Sequence, residues 1–233
     1  MRLIVLDTSV VLPALLSSGG RRRKLWLLLA YGALSARADQ ARLDIEFLHH
    51  EAAELGGELA GRQIEELAAE AEAGRARVAE RLPAGAPDDL GLVASRPVLD
   101  EYERKLAEIG SRLNPDVRAE HIPLFRRQVE AACVDITNDF EVGDIPNYTP
   151  DRDDDPVVHT ALLADATWLV ADDKKHISRE PGGTFEYRDD ESGRHVSAMT
   201  FDYFAATHLS HFDFDRIDGS WLGLAYAQLG ARD

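Results

Sequence analysis

Short apolar runs of strand length alternate along this chain with longer segments of helical period, and this alternation restricts the fold more than any other feature. Leu3 to Leu6, Gly91 to Ser95, Cys133 to Ile136, Thr167 to Ala171 and Val196 to Met199 read as strands by their apolar and β-branched character. Helical spacing appears in Val10 to Leu16, from the basic cluster through Leu25 and Leu29, in Val98 to Ile109, from Pro115 to about Ala132, in Pro156 to Ala166 and in Phe201 to Leu209. Pro13 is tolerable in a first turn, Ser17-Ser18-Gly19-Gly20 breaks the first helix, and Gly110 is expected to stop the helix that begins at Val98. Residues 143–154, with Pro146, Pro150 and clustered Asp, read as a loop. Strands alternating with helices imply an α/β fold, a mostly parallel central sheet between two helical layers.

A chain of 233 residues that is 45% hydrophobic is long enough for one large core, so 1–233 is expected to form a single domain. Between Ala36 and Asp89 the composition shifts to Ala, Glu, Leu and Arg. Ile45, Leu48, Ala52, Leu55 and Leu59 mark one helical face, and Ile64, Leu67, Ala71, Val78 and Leu82 mark a second. Gly56-Gly57 and Gly61 lie near the join, so 36–89 is expected as an inserted helical hairpin or one long bent helix packed on the core. Its sharper alternatives are a dimerisation arm or a lid. The tail, 212–233, places Trp221, Leu222, Leu224, Tyr226 and Leu229 on one amphipathic helix whose default role is packing.

The single cysteine, Cys133, excludes an internal disulfide framework and leaves too few thiolates for a zinc or iron–sulfur site, which suits a reducing cytoplasm. The chain opens directly on a strand without the long apolar region of a signal peptide, and Leu25 to Leu34 is too short to span a bilayer. A net charge of −16 argues against broad phosphate binding. Basic residues are nonetheless local: Arg21-Arg22-Arg23-Lys24, Arg104-Lys105 and Lys174-Lys175 each follow an acidic position, and they are expected as a phosphate-tracking rim or as solvated faces.

Four acids stand beside apolar runs: Asp7 after Leu6, Glu101 after Val98-Leu99, Asp155 before Pro156, and Asp173 after Ala171. The carboxyl ends of parallel strands lie along one sheet edge, where ligands bind. Carboxylates gathered there repel one another unless a hard cation sits between them, so the pattern suggests a Mg²⁺ or Mn²⁺ site. Each acid also has an ordinary use. Asp7 suits a helix N-cap, Asp155 before Pro156 is a standard helix start, Asp172 and Asp173 suit an exposed turn, and Glu101 shares a solvated face with Asp100 and Glu103. Thr8 and Ser9 carry hydroxyls that can orient a carboxylate. The eight His are scattered without compact ligand spacing, and no lysine-bearing phosphate loop is present.

Together, LIVLDTSVVLPALLSSGG, VASRPVLDEYERKL and DDDPVVHTALLADATWLVADDKKHI resemble the three signature blocks of the PIN-domain ribonucleases, in particular the bacterial branch that contains toxin–antitoxin nucleases. The resemblance implies a three-layer α/β/α domain and a Mg²⁺- or Mn²⁺-dependent endoribonuclease acting on single-stranded RNA. Its catalytic and metal-binding acids fall on Asp7, Glu101, Asp155 and Asp173, with Asp153, Asp154 and Asp172 as additional ligands. An antitoxin protein and a second copy of the chain are the protein partners it implies, and a PIN-like scaffold that binds without cutting is the alternative. Asp172 stands where relatives commonly have a small residue. A haloacid-dehalogenase-type phosphatase fits less well, because it requires a second Asp where Ser9 stands, and a phospho-acceptor receiver domain requires an early acidic pair.

Overall fold

The computed structural model describes residues 1–17, 19–55, 58–114, 116–137, 140–172 and 183–230, side chains 48–55, 58–64 and 113 excepted. In chain order the elements are β1 (Arg2–Leu6), α1 (Thr8–Leu16), α2 (Arg21–Leu55), α3 (Glu58–Ala79), β2 (Leu90–Ser95), α4 (Arg96–Leu113), α5 (Ile122–Ala132) and β3 (Cys133–Thr137). They continue as α6 (Asp155–Leu163), β4 (Trp168–Val170), β5 (Thr184–Arg188), β6 (His195–Met199), α7 (Phe201–His208) and α8 (Leu222–Gln228). The sheet has the order β3-β2-β1-β4-β6-β5, and among the described strands β5 alone runs antiparallel. The chain builds outward from β1 through β2 to β3, then returns to lay β4 on the other side of β1. That reversal opens a crevice beyond the carboxyl ends of β1 and β4.

The fold is a three-layer α/β/α arrangement. α2 packs over β2 and β3, and α6 over β1, β2, β4 and β6. The strands are continuous apolar runs because both of their faces are covered: Ile4, Val5, Leu6, Leu92, Val93 and Ala94 have no exposure. The first third of α2, from Leu25 to Ser35, is buried all round, between the sheet and helices α1, α5 and α8. This explains its unbroken apolar sequence, which has no polar face to present. Where α2 crosses β2, Gly32 lies so close that a Cβ there would stand 1.8 Å from the Leu90 carbonyl oxygen.

Beyond Ala38 the same helix leaves the core and is accompanied by α3 as a hairpin. The two helices follow one another in the chain and pack side by side, so they run antiparallel. α2 runs through position 36 without a break. Leu43 and Phe47 on α2 and Leu67 on α3 are exposed. The tail closes over the base of α2: Leu222, Ala225, Tyr226 and Leu229 are buried, and the Trp26 indole N–H donates to the Tyr226 hydroxyl. Its helix is shorter than the periodicity suggests, because 214–216 and 219–221 are separate 3-10 turns.

Three local expectations are corrected. Gly110 does not stop α4, which continues to Leu113. It is a packing glycine, since a Cβ there would lie 2.8 Å from Leu106 and 3.1 Å from Val117, and the helix ends where the Asn114 N–H bonds the Gly110 carbonyl. The helix expected from Pro115 starts only at Ile122, after a 3-10 turn at Ala119–His121. β5 was not foreseen; it is an edge strand of mixed polarity, TFEYR, with one buried residue. Among the described residues, no helix is long and apolar enough to cross a membrane.

At the other end of the sheet, His208 lies against Trp168, with ring centroids 4.6 Å apart. Burial, and secondarily the Arg2 charge, hold its imidazole below the usual value of 6.5. The neutral ring is therefore the folded form, and its contribution is present in full above about pH 6.5 and is lost as the pH falls below that value. We expect acidification from about pH 7.5 to 5.5 to lower the melting temperature of the wild type more than that of His208→Phe, measured by differential scanning fluorimetry.

Candidate functional site

Asp7 follows the last residue of β1 and begins α1. Its backbone N–H donates to the Val170 carbonyl at 2.9 Å, tying the ends of β1 and β4, and its own carbonyl accepts from Val10 and Val11. The side chain caps α1 by accepting from the Ser9 N–H at 2.8 Å and from the Ser9 hydroxyl, and it is 8% exposed. The cap orients the carboxylate without removing it from the surface.

Glu101 is delivered by α4, which β2 feeds directly and which Ser95 caps. The next residue, Tyr102, is buried and donates its hydroxyl to the Leu6 carbonyl, just before Asp7. Burial pushes this phenol well above its usual range, and the Asp7 charge adds to the effect. Tyr102 thus pins α4 to the end of β1 and sets Glu101 beside the Asp7 corner. Glu101 itself accepts two hydrogen bonds from Arg104, both at 2.9 Å, and Lys105 lies 3.9 Å from it.

The third contribution comes from the loop before α6. Asp151 caps the 3-10 turn Arg152–Asp154 by accepting from the Asp153 N–H. Asp7, Thr8, Ser9, Leu12, Pro13, Glu101, Lys105, Ile109, Asp151, Asp153 and Asp154 line one cleft of about 450 Å³. Five carboxylates from three distant segments therefore share one opening at the carboxyl edge of the sheet.

Asp155 has a different position. It has no exposure, and its Oδ1 accepts from the Tyr148 N–H at 2.9 Å, the Thr149 N–H at 2.8 Å and the Thr149 hydroxyl at 3.0 Å. Its Oδ2 accepts no hydrogen bond and lies 3.6 Å from Arg152 Nη1. Asp155 anchors the loop whose next turn carries Asp153 and Asp154. The Asp155 charge also contributes, after burial and Asp189, to the rise of the Tyr148 phenol to about 12.

Asp172 is occupied as well. Its Oδ2 accepts from Arg22, with the Nε contact at 2.9 Å, its Oδ1 accepts from the Phe201 N–H at 3.2 Å, and its backbone N–H donates to the Ser9 hydroxyl at 2.9 Å. Ser9 consequently bridges the ends of β1 and β4, bonding Asp7 on one side and Asp172 on the other. The other members of the basic cluster face the tail: Arg21 pairs with Asp215, Arg23 donates to the carbonyls of Gly219, Leu15 and Ser17, and Lys24 donates to the Asp215 carbonyl. Of the basic residues expected at a rim, Lys105 lines the cleft. Asp173, Lys174 and Lys175 lie outside the described residues.

The donor set is hard carboxylate oxygen, the kind that takes Mg²⁺ or Mn²⁺. Among the described residues, no three His, Cys, Asp or Glu stand close enough together to hold a metal ion. The site fits such a cation by the chemistry of its donors and by their shared exposure to one cleft. Comparison with protein-family models, with curated proteins and with solved structures finds no match.

Sequence reasoning overlooked Asp151, Tyr102 and the apolar residues of the cleft wall. Asp151 had a signal in the repeated acids of PDRDDDP, and Tyr102 had one in its place beside Glu101.

Proposed function

We propose that this protein is a PIN-type endoribonuclease that acts in the cytoplasm and hydrolyses single-stranded RNA with Mg²⁺ or Mn²⁺. The observation that carries this reading is the convergence of Asp7, Glu101, Asp151, Asp153 and Asp154 on one cleft at the carboxyl edge of a parallel sheet. Asp7 and Glu101, with the acids of the 151–154 turn, are the residues that would hold the cation. Bound there, it supplies an activated water and charge stabilisation for the leaving oxygen. The remaining chemistry belongs to the chain. Ser9 keeps the Asp7 carboxylate oriented, Tyr102 keeps Glu101 at the β1 corner, and Lys105 brings the one positive side chain among the described residues that line the cleft. An acidic cleft in a chain of net charge −16 repels a bare phosphodiester, which is why the reading requires a divalent ion.

The test is cleavage of single-stranded RNA and single-stranded DNA by wild type and Asp7→Asn, with Mn²⁺, with Mg²⁺ and with chelator. We expect RNA cleavage that chelator abolishes and that Asp7→Asn lowers at least about 100-fold at unchanged melting temperature. Wild type inactive on both substrates, or a variant that cuts equally well, overturns the proposal in favour of a non-cutting scaffold.

A further inference from the structure

The cleft is polar at one end and apolar at the other, and the gradient is written twice. On α4, Glu101, Lys105 and Ile109 recur every four residues and all line the cleft, so carboxylate, ammonium and hydrocarbon follow one another over about 12 Å of helix. On α1 the same progression runs from the Asp7 cap through Thr8 and Ser9 to Leu12 and Pro13. The two helices pack against each other, so both progressions belong to one wall of the cleft. Ile109 and Pro13 are half-buried and Lys105 is partly exposed, so hydrocarbon and ammonium remain accessible to a ligand. A metal site needs none of this apolar surface.

Resting on the nuclease reading above, we propose that the Lys105, Ile109 and Pro13 end of the cleft is the seat for one unpaired nucleotide next to the bond that is cut, with Lys105 on its phosphate and Ile109 and Pro13 against its base. Three features favour this occupant. A base presents an apolar face that aliphatic side chains can cover, and the adjoining phosphate lies at its polar edge, matching the order of groups on α4. The whole cleft, acidic residues included, measures about 450 Å³, a size that suits a small ligand. Among the described residues Lys105 is the one cation that lines the cleft, and one lysine supports one phosphate contact, whereas a duplex-tracking surface presents a row of cations.

The seat predicts a distinctive salt dependence. With a single phosphate anchored by protein, log KM for a short single-stranded RNA should vary with log salt concentration with a slope of about 0.7 in magnitude, far below the values of multi-phosphate binders. Lys105→Met should raise KM about tenfold at low salt and remove most of that slope. Ile109→Ser should raise KM about fivefold and leave the slope in place, while Ile109→Val restores wild-type KM.

The deciding experiment uses the full chain, a fluorescent single-stranded RNA and the same RNA with an abasic nucleotide beside the cleaved bond. For wild type the abasic substrate should raise KM as much as Ile109→Ser does on the intact one, and Ile109→Ser should not distinguish the two substrates. Melting temperatures of all variants are measured alongside, and kcat is expected to fall by less than KM rises. Wild type that cleaves RNA, together with Lys105→Met and Ile109→Ser that keep its KM and salt slope, overturns the seat and leaves the nuclease reading standing. Wild type that cleaves no RNA overturns both.

Discussion

Gly32→Ala is expected to destabilise the fold by about 3 kcal/mol, against the usual sign of the substitution. In an exposed helix interior the exchange stabilises by about 1 kcal/mol, because alanine restricts the unfolded chain more than glycine does. At position 32 the added Cβ would stand 1.8 Å from the Leu90 carbonyl oxygen and 2.9 Å from its carbonyl carbon. These are backbone atoms of a central strand, so no rotamer change can relieve the clash. α2 must lift off β2, and it carries Leu25, Trp26, Leu28 and Leu29, all without exposure, with it. Overpacking of this kind costs about 1–3 kcal/mol and occasionally more, and a backbone obstacle places it at the upper end. For a chain of this size the melting temperature should fall by about 6–12 °C. Chemical denaturation checks this, and a stabilised Gly32→Ala protein would show that α2 does not sit on β2 as described.

The second large effect separates two adjacent carboxylates. Asp155→Ala should cost about 3–5 kcal/mol, because at a site with no exposure it deletes the acceptor of two backbone N–H groups, which are left unpaired, while the Thr149 hydroxyl keeps the Asp151 carbonyl. Asp154→Asn, one residue earlier on the cleft wall, should leave stability within about 0.5 kcal/mol. Under the proposed function it should also lower RNA cleavage at least about 100-fold. The measurement is a paired one, urea unfolding and single-turnover cleavage on both variants. A stable Asp155→Ala protein without activity would reverse the assignment and make Asp155 the residue that acts on substrate.

The same pair shows where the sequence stops being readable. Parallel strands buried on both faces have to be continuous apolar runs, so β1, β2 and β4 could be read from composition, while β3 and β6 were legible by their β-branched and apolar residues despite partial exposure. β5 could not, because an edge strand of TFEYR has only one buried residue and its pairing comes from β6 alone. Composition changes near Ala36 because α2 leaves the core there, and the continuity of the helix through that point is what composition does not contain. In Asp153-Asp154-Asp155 three carboxylates of equal chemistry stand side by side. Which one turns inward depends on where the N–H groups of Tyr148 and Thr149 arrive, a matter of loop geometry that spacing does not contain. Asp7 was open to two readings, cap and cleft acid, and the structure gives it both positions at once.

The continuity of α2 also fixes a distance. A helix of 35 residues measures about 52 Å, and its first half is clamped in the core while its second half stands clear of it. No glycine or proline interrupts it between Ala33 and Leu55, so the helix has no sequence-encoded joint at the point of emergence. Whatever meets the outer half, where Leu43 and Phe47 are exposed, is therefore held at a set range and bearing from the acidic cleft, as by a ruler. Changing that range by whole turns, with matched additions to α2 and α3, alters reach without disturbing the core, whereas an addition that does not complete a turn also rotates the contact face about the axis.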